Sequence, residues 1–171
     1  GVPWIEDPCR TLEETARLRS DGVAVSFATH IPDLARAARD GAPDGICLDA
    51  SELGGIRRTQ DFLRACAGLG VAFWCYSGDA GIMAAVYLHL TAAEPTLIRE
   101  HQSLFRYTRE NVLAEGVFAP RGGVLPVPDG PGLGVTIDRG QLARLHEAYR
   151  SHGGMLQGLP DARYGEMFRQ Q

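Results

Sequence analysis

Five short apolar runs punctuate the first hundred residues, and each closes on polar side chains. Trp4-Ile5-Glu6 ends in a carboxylate. Residues 23–30 (VAVSFATH) end in an imidazole, and Ile46-Cys47-Leu48-Asp49 ends in a second carboxylate. Residues 71–76 (VAFWCY) end in a thiol and a phenol, and residues 97–101 (LIREH) close the fifth run. Apolar residues at helical spacing follow each of the first four. Strand and helix in alternation, with reactive groups at the strand C-terminal ends, is how a (β/α) barrel builds the mouth of a site. A core strand does not need Glu or Asp at its end, so the recurrence asks for a functional explanation.

The helices can be placed with their stops. Residues 11–20 (TLEETARLRS) predict a helix capped by Thr11, with Glu14 three residues on as in a capping box, and Asp21-Gly22 ends it. Pro32-Asp33 suits a first turn, Leu34, Ala37 and Ala38 form an inner stripe, and Gly41 stops the second helix. Residues 56–69 place Ile56, Phe62, Leu63, Cys66 and Leu69 near helical spacing. Residues 80–93 predict a largely apolar helix. The strands start near 2, 23, 45, 71 and 96, a step of some 21–26 residues that suits a βα unit and is too irregular for a short solenoid repeat. The character changes after about residue 104. Residues 116–138 are rich in Gly and Pro with short apolar pairs between them, which predicts turns and short strands. A last helix is expected over 141–149, and an extended tail from His152. The expected division is therefore 1–104 as βα units and 105–171 as a C-terminal capping segment and tail.

Length turns this pattern into a question. A complete eight-unit barrel takes about 250 residues and rarely fewer than about 200, whereas the chain has 171. Four βα units and part of a fifth leave two solutions: a compact open-sheet domain of flavodoxin type, or one half of a barrel whose edges and apolar face another polypeptide covers. The flavodoxin-type solution lacks a phosphate-binding loop. All 17 basic residues are Arg and none is Lys, so a lysine base, Schiff base or P-loop lysine is excluded from this chain. A net charge of −4 gives no reason to expect nucleic acid. No apolar stretch approaches the roughly 20 residues of a membrane span, and the first residues carry no basic-then-apolar leader pattern. Cys9, Cys47, Cys66 and Cys75 are widely spaced with no C-x-x-C, which disfavours zinc-ribbon and thioredoxin-like readings. Cys47 and Cys66 read as buried thiols, and a reducing cytoplasm suits all four.

The residues 4–9 (WIEDPC), 28–30 (ATH), 48–49 (LD) and 127–135 (VPDGPGLGV) resemble, in order and spacing, the C-terminal half of enolase-superfamily enzymes of the mandelate racemase group, in the manner of its glucarate dehydratase-like branch. The first and last of these elements are fairly specific as a pair. The resemblance implies the C-terminal half of a modified (β/α)7β barrel, and a partner polypeptide supplying the N-terminal barrel half and an α+β capping domain. It implies Mg²⁺ on strand-end ligands and a small carboxylate substrate, whose α-proton is removed before a β-hydroxyl leaves. An α-proton beside a carboxylate is very weakly acidic, and a divalent cation on the developing dianion makes its removal feasible. Carried over by position, Glu6 falls on a metal ligand, His30 falls where an amide ligand stands, and Asp49 falls on the aspartate that orients a catalytic histidine. That histidine falls at Cys75, or at Tyr76 with a shift of one residue. The first metal ligand and the lysine bases fall upstream of Gly1.

Each candidate also has a structural alternative. Glu6 suits a solvated acid, and His30 a satisfied loop histidine. Asp49 can cap a turn through the amide of Ser51 or Glu52, and Cys75 can be a buried small residue beside the donor Tyr76. Asp79 suits a helix N-cap, His101 can reach the mouth from the last strand, and His89 sits in an apolar helix as a structural residue. His30 as a ligand favours a divalent metal other than Mg²⁺. Gly132-Leu133-Gly134 lacks the strand–turn–helix setting of a dinucleotide site. The expectation is therefore a lyase or racemase with a partner half; an inactive enolase-like binding or structural subunit is the alternative, because the histidine is missing.

Overall fold

The computed structural model describes residues 1–77, 81–94, 102–103, 111–116, 118 and 121–152. Its centre is a parallel sheet in the order β1-β2-β3-β4, formed by Trp4–Glu6, Ser26–Thr29, Gly45–Cys47 and Ala72–Trp74. Helices α1 (Leu12–Ser20), α2 (Leu34–Asp40) and α3 (Ile56–Leu69) connect successive strands. A second, two-stranded parallel sheet joins β5 (Tyr76–Ser77) to β6 (Gln102–Ser103), with α4 (Gly81–Ala93) between them in sequence and α5 (Arg139–His152) last. This is an α/β fold, as the alternating pattern predicts.

Local chemistry accounts for the helix limits. The Thr11 hydroxyl accepts the Glu14 N–H and the Glu14 carboxylate accepts the Thr11 N–H, both at 3.2 Å, completing the expected capping box. Asp33 caps α2 by accepting the Arg36 N–H at 2.9 Å, and Gly41, at φ +65°, ends it in the left-handed conformation that glycine adopts without penalty. The third helix runs over the expected residues. The fourth starts at Gly81, where a side chain would strike Leu113, and its first amide donates to the Asn111 side chain at 3.1 Å. Asp79, expected to cap it, lies outside the described residues.

The two faces of the sheet differ. On one, Ile46, Leu48, Phe73 and Cys75 pack with Leu63 and Cys66 of α3 and Val86, Tyr87 and Leu90 of α4. On the other, Ala28, Cys47 and Trp74 pack with Trp4 and Ala72. Register places Ala28 beside Gly45 and Gly45 beside Ala72. This row of small residues leaves room for the two indoles, which meet edge to face at 5.6 Å between centroids.

The strands' N-terminal end is fixed by Asp44. Its carboxylate accepts the Phe27 N–H at 2.7 Å and pairs with Arg19 of α1, its own N–H donates to the Phe27 carbonyl at 2.8 Å, and its carbonyl accepts the Ala72 N–H at 2.8 Å.

Two expectations change. The Gly/Pro-rich stretch holds, among its described residues, only the isolated bridges Leu113–Ile137 and Arg121–Val124; its glycines at positive φ turn the chain too often for strands to extend. It docks on α4 instead, where the His89 ring nitrogen meets the Leu133 carbonyl at 3.1 Å. The last helix begins two residues earlier than expected and runs to His152, with Asp138 accepting the Gln141 N–H at 2.9 Å near its start. The fifth expected strand, starting near residue 96, lies outside the described residues up to 101; Gln102–Ser103, just past it, pairs with β5.

Candidate functional site at the strand C-terminal ends

Register brings the first two candidates together. Glu6, the last residue of β1, lies beside Ala28, so His30, two residues further along, points to the same face just past β2. The Glu6 Oε1 and His30 Nε2 atoms are 3.7 Å apart. By the same parity Cys47, at the end of β3, stands next to His30 on that face. Among the described residues, the ligand atoms of Glu6, His30 and Cys47 all lie within 4.8 Å of one another.

Asp7 orients the imidazole. Its φ is +43°, a left-handed conformation that Asp tolerates better than most residues. The turn lets its N–H donate to the Ala28 carbonyl at 2.9 Å. Its carboxylate then accepts the His30 N–H at 3.3 Å and the ring Nδ1–H at 2.5 Å. With Nδ1 so engaged, Nε2 is the atom turned toward Glu6. Burial pushes the Cys47 thiol well above its ordinary value, and the charges of Glu6 and Asp7 push the same way, while a hydrogen bond from Trp74 opposes them.

The remaining candidates stand apart from this group. Asp49 is buried and its carboxylate accepts the Ser51 N–H at 2.7 Å, the turn-capping contact weighed above. The Tyr87 hydroxyl from α4 also bonds to it and accepts the Ala50 N–H at 3.1 Å. Burial raises the Tyr87 hydroxyl well above its ordinary value. Cys75 requires a correction. Trp74 takes the face shared with Cys47, so strand alternation turns Cys75 the other way, into the helix-facing core with no exposure. Burial first, then the Asp49 charge, pushes its thiol up to about 12, so it is no ready thiolate at neutral pH. The Tyr76 side chain and all of His101 lie outside the described residues. Two members of the group were missed from the sequence. Cys47 read as core because it stands between Ile46 and Leu48, and Asp7 received no role; strand parity from Glu6 and His30 was the available signal for the first.

Magnesium takes a near-octahedral shell of oxygen donors. Only one of these three donors is oxygen, so these three side chains by themselves do not fit that ion.

Residues 1–141 match the family described as Enolase C-terminal domain-like. The chain belongs to the enolase superfamily, on its mandelate racemase/glucarate dehydratase-like branch. It is 32% identical over 167 residues to a probable glucarate dehydratase of Streptomyces coelicolor, which covers 94% of this chain and 38% of that protein. It is 29% identical to a chloromuconate cycloisomerase of Pseudomonas putida, over 86% of this chain and 42% of that protein. An enolase from Thermobispora bispora, solved with magnesium and formate, superposes with a TM-score of 0.83 at 31% identity, over 90% of this chain and 38% of that one. This enolase-superfamily chain thus spans about two-fifths of the length of these relatives, and its parallel sheet corresponds to part of an enolase C-terminal domain.

Proposed function

We propose that this chain carries one wall of a lyase site that removes the α-proton of a small carboxylate substrate and eliminates a β-substituent, and that the other wall comes from a polypeptide supplying the rest of a (β/α)7β barrel and its capping domain. The observation that carries this reading is the pairing of Glu6 with His30 at adjacent strand ends, in a chain similar to a probable glucarate dehydratase. Glu6 and His30 would hold a divalent cation, whose charge opposes that of an enediolate. Asp7 keeps the imidazole oriented, and Trp4 and Trp74, packed edge to face on the same side of the sheet, form an apolar floor behind the strand ends.

The base is expected from the partner. A general base must come within about 3 Å of its proton, directly or through one water. Asp49 is engaged by Ser51 and Tyr87, and Cys75 faces the helices. The partner also fits the edges of the sheet, because β1 and β4 each pair on one side only within it. No helix of the described residues is long and apolar enough to cross a membrane.

α-Proton exchange in deuterated water, with the assembled protein and a panel of acid sugars, tests the reading. Exchange that disappears with Glu6→Gln supports it. Exchange abolished by His101→Ala would move the base onto this chain. Absence of exchange from the complete assembly favours the second reading, a binding or structural subunit without catalysis, to which the burial of Cys75 at the position of the expected histidine also points.

A further inference from the structure

The mismatch between these donors and magnesium has a geometry of its own. We propose that Glu6, His30 and Cys47 form a three-ligand site for a borderline divalent cation of the zinc class, with Asp7 as the positioning residue for His30. The proposal rests on the reading of Glu6 and His30 as cation ligands, and adds a sulfur ligand and a metal class to it.

Distances support the site. Zinc bonds of about 2.0–2.3 Å in a tetrahedron put neighbouring donors roughly 3.4–3.7 Å apart. Glu6 Oε1 and His30 Nε2 already stand at 3.7 Å. The Cys47 sulfur is within 4.8 Å of both, a gap that rotation of exposed Glu6 and half-buried His30 can close. The Asp7–His30 contact is an independent pointer to a metal. A ligating histidine characteristically donates its other ring N–H to a carboxylate, which fixes the tautomer and raises the basicity of the ligand nitrogen. Here Nδ1 meets Asp7 at 2.5 Å while Nε2 faces Glu6. The Cys47 sulfur is oriented in turn by a hydrogen bond from Trp74.

Donor chemistry then selects the ion. Nitrogen and sulfur donors favour zinc and its neighbours in the Irving–Williams order over magnesium. Three ligands from this chain leave a fourth position for water, a substrate oxygen or an oxygen ligand of the partner polypeptide. On binding, the Cys47 S–H bond breaks, a sulfur–metal bond forms and the proton leaves to solvent, with no change of oxidation state.

The test uses the full chain in its native assembly, titrated with Co²⁺ as a spectroscopic probe. A near-ultraviolet thiolate-to-cobalt charge-transfer band is expected, retained in Cys66→Ser and lost in Cys47→Ser. Asp7→Asn should weaken cobalt binding about tenfold to a hundredfold yet keep the band at saturation. X-ray absorption of the zinc-loaded, unsubstituted protein gives a readout that needs no variant to fold, with a sulfur neighbour expected at about 2.3 Å. A shell of nitrogen and oxygen alone, a band that survives Cys47→Ser, or displacement of the bound metal by magnesium would overturn the proposal. Magnesium bound through Glu6 with no thiolate band would sink the sulfur site and leave the proposed function standing. Metal binding left unchanged by Glu6→Gln would remove both.

Discussion

Gly45→Ala probes the packing beneath the strand ends. A Cβ built on Gly45 would lie 2.7 Å from Trp74 Cζ3, 3.0 Å from Trp4 Cζ3 and 3.2 Å from Trp74 Cη2. Neither indole can yield freely, because the two pack edge to face against each other. Overpacking of this kind costs about 1–3 kcal/mol. For a chain of this length that lowers the melting temperature by about 2–4 °C per kcal/mol, hence roughly 2–12 °C. The chain's two tryptophans form this contact, so the difference in intrinsic fluorescence between variant and unsubstituted assembly reports on it. Urea denaturation of the assembled protein followed by intrinsic fluorescence should show a lower midpoint, and the native emission should shift as an indole is displaced. The atoms of Trp74 in the way belong to the far end of its ring, which phenylalanine does not reach. Trp74→Phe in the alanine background should therefore recover part of the loss, with a favourable coupling of about 0.5 kcal/mol or more. An unchanged midpoint and spectrum in Gly45→Ala, or strict additivity in the double variant, would refute the packing argument.

Other outcomes follow from the same geometry. Glu6→Gln should reduce metal affinity in the assembled protein about tenfold or more by calorimetry, judged by ligand-shell losses elsewhere; unchanged affinity would make Glu6 a surface acid. Tyr87→Phe should destabilise by about 1–3 kcal/mol, because the buried Ala50 N–H loses its acceptor and Asp49 a donor; an unaltered urea midpoint would show the hydroxyl to be dispensable. Burial raises the thiols of Cys66 and Cys75 from 9.0 to about 12. Their contribution to stability is thus fully present below pH 9 and lost as pH rises toward 12, because the unfolded chain ionises first. Denaturation midpoints should fall across that window and fall less in Cys66→Ala. Limited alkylation of the native protein should label half-exposed Cys9 before the three buried cysteines, as peptide mass analysis would show.

The elements were legible where local chemistry decides them. Thr11 with Glu14, Asp33 with Gly41, and the spacing of Ile56 to Leu69 announce their helices because caps and periodicity act within a few residues. The pairing of Glu6 and His30 was legible because both close their strands. Cys47 was hidden by its apolar neighbours, since only the register with β2 shows which face it takes. Cys75 takes the buried alternative open to it in the sequence: one residue changes the face of a strand, and Trp74 holds the face shared with Cys47. The role of Asp7 depends on a backbone turn that composition does not encode. The Gly/Pro-rich segment read as short strands because its apolar pairs look like strand fragments, whereas its contacts run to α4.

Asp44, at the N-terminal end of β3, joins β2, the start of β4 and Arg19 of α1. In strand–helix architectures that end bears on stability and the opposite end on chemistry. A clamp this economical in residues holds the register from one side, so exposed Glu6 and half-buried His30 can be replaced while the strands keep it, whereas Cys47 is also held by its packing against Ala28 and Trp74. A library that randomises positions 6 and 30 with Asp44, Arg19 and Cys47 held constant would explore new ligand chemistry on an unchanged frame.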